Sequence, residues 1–106
     1  MFYINGEAWY IVLVAPNDIS LLMPNGRYAI GACNDSMKTI YINIELYGEE
    51  FEQVLCHEIV HAAMFAYDVL LDEDDEELLA EIIATFGEEI IDLTDIMFDE
   101  IRRGRF

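Results

Sequence analysis

At 106 residues, 55% of them hydrophobic, the chain has apolar material for one core and no length for two domains of ordinary size, so residues 1–106 are expected to form one compact domain. Its 22 acids against 5 bases give a formal net charge of −17, which repels phosphates, disfavours a direct grip on nucleic acid, and draws in cationic ligands and divalent metal. No run of eighteen apolar residues exists to span a membrane, no basic segment follows Met1, and Cys33 and Cys56 make neither a disulfide framework nor a CxxC. A soluble cytoplasmic protein with reduced thiols and no membrane partner is the expectation.

Phe2 to Ile4 and Ala8 to Val14 are β-branched and aromatic runs on either side of Asn5-Gly6, a dipeptide suited to a tight turn with positive φ, so a β-hairpin opens the fold. Pro16 and Asn17-Asp18 break the strand, Asp18 is placed to cap a short turn through Leu22, and Pro24-Asn25-Gly26 breaks the chain again. Arg27 to Cys33 and Lys38 to Ile44 flank the turn residues Asn34-Asp35-Ser36, and in the second run Ile40, Ile42 and Ile44 alternate with Tyr41, Asn43 and Glu45. These predict a second hairpin.

From Glu49 the period changes to that of a helix, with Phe51, Val54, Leu55, Ile59, Ala62 and Ala63 on one stripe, ending near Tyr67-Asp68. The acidic run Asp72 to Glu77 reads mostly as a solvated stretch leading into a helix that begins near Asp75 or Glu76 and carries Leu79, Ile82, Ile83, Phe86 and Ile90. Gly87 weakens it, and Asp92 to Arg103 keeps the helical spacing, with Arg102, Arg103 and Arg105 suited to a helix C-terminus. The fold class is therefore α+β: about four antiparallel strands followed by two or three helices.

The first of these helices carries the chain's only histidines, in His57-Glu58-Ile59-Val60-His61. Four residues advance a helix by about 400°, so the two rings lie one above the other and can grip one ion, with Glu58 a step along the same turn. This is the HExxH pattern that binds zinc, in which the glutamate acts as a base. A catalytic zinc takes three protein ligands and keeps one position open, so a further ligand is needed. A cysteine could serve, but Cys56 points about 100° away from His57 and Cys33 lies among the strands, so a carboxylate of the next helix is the better candidate: Glu76, Glu77, Glu81 or Glu88. Glu77 and Glu81 stand one turn apart on one flank of that helix, so one can bind metal while the other fixes the far nitrogen of a ligating imidazole.

With HExxH on one helix and Glu77-Leu78-Leu79-Ala80-Glu81 on the next, the chain resembles the gluzincins among the zincin metallopeptidases. It is similar to the small phage- and prophage-type metallopeptidases of about this length, through Gly31-Ala32-Cys33, Tyr41-Ile42-Asn43, His57 to His61 and Glu77 to Glu81. The resemblance implies a small zincin-like domain with zinc on His57, His61 and Glu77, and Glu81 as the acid holding His57; Glu81 is the alternative ligand. It implies a peptide or protein substrate, cleaved by a water that the zinc activates, with Glu58 as the general base. It also implies that the strand bordering the cleft binds substrate backbone, for which Lys38 to Ile44 is the candidate, and that a phenol donates to the oxyanion. Tyr67 is the nearest such phenol after the helix, unless it merely covers the helix end. Two other functions fit the sequence: a non-catalytic domain that uses zinc for stability or interaction, and an acidic mimic of DNA that occupies a host nucleic-acid-binding protein.

Overall fold

The computed structural model describes residues 1–104; the expectation for Arg105 lies outside them. The order is β1 (Phe2–Ile4), β2 (Glu7–Val14), a single 3₁₀ turn (Ile19–Leu21), β3 (Gly31–Asn34), β4 (Thr39–Asn43), α1 (Gly48–Ala66) and α2 (Glu73–Arg102). The molecule is α+β, a four-stranded sheet followed by two helices. Both hairpins form where the turn residues call for them. Asn5 and Gly6 have φ of 50° and 77°, the pair of positive values that matches the twist of the flanking strands. Asp18 caps the 3₁₀ turn, its carboxylate accepting from the Ser20 backbone N–H at 2.9 Å and the Ser20 hydroxyl at 2.7 Å.

The sheet is mixed rather than antiparallel throughout. Its strand order is β1-β2-β4-β3, and β2 and β4 run parallel, with Ile11 beside Ile40 and Leu13 beside Ile42. Parallel neighbours need a long crossover, and the segment from residue 15 to residue 38 provides one, carrying the 3₁₀ turn and β3 on the way. Arg27 to Ile30, expected in the second hairpin, stays outside the named strands and makes one isolated bridge, Leu22 to Tyr28.

α1 lies across one face of the sheet. Trp9, Ile40, Ile42 and Ala62 are wholly buried, and Phe51, Val54, Leu55 and Ile59 of the predicted stripe pack around them. Ile44, the third member of the alternating set, falls beyond β4 and is 57% exposed. The Asn5 side chain donates to the Ala66 carbonyl at 3.0 Å, tying the opening turn to the end of α1. Truncating Ile42 to alanine removes three carbons from a fully enclosed site, and the expected result is a loss of about 2–5 kcal/mol in urea unfolding.

α2 begins earlier than its apolar period suggested. Asp72 is the N-cap, accepting from the Asp75 N–H at 3.0 Å, so Glu73 to Glu77 are helical rather than a leading loop. Four acids in the first turn suit the positive end of the helix dipole. The helix continues through Gly87 to Arg102, one element of 30 residues where two were allowed for. Arg102 and Arg103 close it and pair with Asp99 at 3.0 and 3.2 Å. Among the described residues no helix is long and apolar enough to cross a membrane.

Candidate metal centre

α1 and α2 pack antiparallel, so residues whose numbers rise on one helix meet residues whose numbers fall on the other. Gln53 donates from its side-chain amide to the Thr85 hydroxyl at 3.2 Å, His57 faces Glu77 and Glu81, and His61 faces Glu76. This register carries the carboxylates of the first two turns of α2 to the histidine pair. The Nε2 atoms of His57 and His61 lie 3.2 Å apart. Glu77 bridges them, with Oε2 at 3.2 Å from His57 Nε2 and Oε1 at 2.9 Å from His61 Nε2.

His57, His61 and Glu77 therefore form a group that could hold a metal ion. Ligands about 2.0–2.1 Å from a tetrahedrally bound zinc stand roughly 3.3 Å from one another, close to the spacings of this trio. The donor chemistry agrees: two imidazole nitrogens and a carboxylate oxygen is a set that catalytic zinc sites use.

The outer nitrogens are occupied as well. His57 Nδ1 lies 3.3 Å from Glu81 Oε2, and His61 Nδ1 lies 2.7 Å from Glu76 Oε1. Each carboxylate can accept a proton carried on Nδ1, which leaves both Nε2 lone pairs free and fixes the ring orientations. Of the four glutamates weighed in the sequence, Glu77 sits between the two Nε2 atoms and Glu81 sits behind His57. Glu88 lies further along the groove between the helices, near Glu49, Glu52 and Cys56, and takes no part. The role of Glu76 on His61 was missed because the residue sits within a run of acids that looks uniformly solvated; the signal was the helix register, which pairs it with the second histidine.

Glu58 is 6% exposed, and both halves of the cleft beside the trio are lined by it. Burial pushes its carboxyl above the ordinary range, opposed by His61 and His57 and reinforced by Glu77. Gly31 makes this possible. A Cβ there would stand 2.8 Å from Val54 Cγ1 and 3.1 Å from Glu58 Cγ, so a side chain at 31 would force Val54 and Glu58 to shift. The cleft itself measures 560 Å³ on the side of Ile30, Val54 and Ala84, within the range of small-ligand sites, and continues past Glu58 toward Leu22, Cys33 and Phe65. Glutamates 50, 58, 73, 76, 77 and 81 line it, and among the described residues no lysine or arginine does.

Cys33 lines the same cleft without joining the trio; burial and the nearby Glu58 push its thiol up to about 12, which keeps it protonated and unreactive. Tyr67 caps the end of α1 with 59% of its surface exposed and is absent from the cleft lining, so its position matches the covering role rather than the donor role. No family model, curated protein or solved structure matches the chain.

Proposed function

We propose that this protein is a zinc-dependent peptide hydrolase of the gluzincin kind. The observation that carries the reading is the convergence of His57 Nε2, His61 Nε2 and the Glu77 carboxylate in a cleft that also holds the buried Glu58. In this reading His57, His61 and Glu77 are the ligands, while Glu81 and Glu76 hold the two Nδ1 protons. A zinc ion held there supplies Lewis acidity, which makes water a nucleophile near neutral pH and polarises a peptide carbonyl. Glu58 takes the proton released as water attacks and returns it to the leaving amine. A site kept only for stability has no use for such a base, and burying a carboxylate costs stability.

The strand pairing favours β3 over Lys38 to Ile44 as the strand that takes substrate. Lys38 to Ile44 contains β4, which is paired on both sides, to β2 and to β3, and has no free edge. β3 is the edge strand and contributes Gly31, Ala32 and Cys33 to the cleft, so an extended peptide lies along β3. The six glutamates of the lining favour peptides with lysine or arginine beside the scissile bond.

Purified protein is expected to bind one zinc per chain and to cut basic members of a peptide library. Chelation should stop the cutting and zinc should restore it. Absence of zinc from the protein, or cutting that survives chelation, would overturn the proposal.

A further inference from the structure

Outside the cleft, the largest feature without a role is the far side of α2. We propose that this chain forms a homodimer in which two α2 helices lie antiparallel along a shared apolar stripe.

The stripe runs through Leu79, Ile83, Phe86, Ile90, Leu93, Met97 and Ile101, at the three- and four-residue steps of a helix seam. From Phe86 onward its members are 43–54% exposed, an unusual state for a continuous apolar row. α1 borders it only at Ile83 and leaves it open from Phe86 onward. Ala80, wholly buried, and Ala84, lining the groove beside Gln53 and Val54, mark the side of α2 that meets α1, and the stripe lies roughly 120° around from them. The helix register also brings the start of α1 level with about Ile90, so roughly the last three turns of α2 extend beyond it.

Three observations single out a second copy as the occupant. The first is area. The chain exposes 7614 Å², whereas a folded monomer of its 12.2 kDa mass exposes about 6,100 Å². The excess of roughly 1,500 Å² exceeds the ~800 Å² that each partner gives up in a standard interface. The Cα radius of gyration, 16.3 Å against about 13 Å for a compact chain of this length, says the same.

The second is symmetry within the stripe. Leu79 and Ile101 are equally far from Ile90, as are Ile83 and Met97. Two antiparallel copies with Ile90 on the twofold axis therefore set these five positions apolar on apolar, as a self-complementary interface requires, with Phe86 facing Thr94 and Leu93 facing Gly87 between them. The third is charge. Glu88, Asp92, Asp95 and Asp99 lie on the opposite side of the helix, turned from the second copy. A parallel pair would set the acidic first turn, Glu73 to Glu76, against its own copy, which the antiparallel arrangement avoids.

The test is the oligomeric state. Sedimentation of the full chain at micromolar concentration should give a dimer, and the pair Ile90→Glu with Leu93→Glu should give a monomer with unchanged helical circular dichroism and unchanged zinc content. A wild-type monomer would overturn the proposal and leave the stripe to a different protein. So would a dimer that survives both substitutions. Orientation is read by mixing an Ile83→Cys chain with a Met97→Cys chain under mild oxidation, with wild type as the control for Cys33 and Cys56. Cross-links between the two variants are expected; cross-linking of Ile83→Cys to itself alone would overturn the antiparallel arrangement. None of these readouts depends on peptide cleavage.

Discussion

Replacing Glu58 with glutamine should leave the metal in place and lower peptide cleavage by about 10²–10⁴-fold, the range that a positioned general base contributes. Glutamine keeps the length and shape of the side chain, so its close packing against Gly31 is preserved. An amide is also cheaper to bury than a carboxylate, and residue 58 is 6% exposed, so the fold should tolerate the change. The amide cannot take a proton from water. Zinc stoichiometry and unfolding midpoint should therefore match wild type while kcat falls with little change in KM. Cleavage unchanged in this variant would remove Glu58 from the mechanism. Gly31→Ala supplies the converse, because the new methyl meets Val54 Cγ1 and Glu58 Cγ, and both stability and cleavage should fall together.

The histidine pair was legible because its chemistry depends on spacing within one helix, and a helical period over Phe51 to Ala63 is a local property of the sequence. The third member of the group was legible less directly. Glu77 and Glu81 differ by a single turn, and only the antiparallel register of α1 and α2 sets Glu77 at the Nε2 atoms and Glu81 at His57 Nδ1. That register is a matter of packing between helices, which periodicity does not encode.

The sheet divides the same way. Asn5-Gly6 and Asn34 to Ser36 specify hairpins through their own backbone preferences, and both hairpins form. How one hairpin docks on the other is decided by the crossover and by burial of Ile40 and Ile42 beneath α1. The parallel pairing of β2 with β4 follows from that, and it moves the free edge from β4 to β3. Alternation in Lys38 to Ile44 reports which face is buried; it says nothing of which edge is open. Gly87 weakens α2 without ending it: a glycine costs a helix about 1 kcal/mol, and apolar spacing on both sides outweighs it.

The ligand assignment is expected to separate cleanly in thermal unfolding. At zinc a hundredfold above its dissociation constant, wild type should gain about 2.7 kcal/mol, a rise of roughly 10–20 °C in Tm for a chain of this size. Glu77→Ala should abolish that rise. Glu77 is exposed and lies among other acids, so the metal-free variant should be no less stable than metal-free wild type, and the lost rise then reports the ligand alone. Glu81→Ala removes only the acceptor behind His57, and zinc affinity should weaken by about 10–100-fold with the rise restored at higher zinc. The reverse pattern, no zinc response in Glu81→Ala and a normal one in Glu77→Ala, would make Glu81 the ligand. His61→Ala differs from both: it should lose the zinc response and destabilise the metal-free protein, because His61 is 7% exposed and its removal leaves a hole and strands Glu76 without its partner.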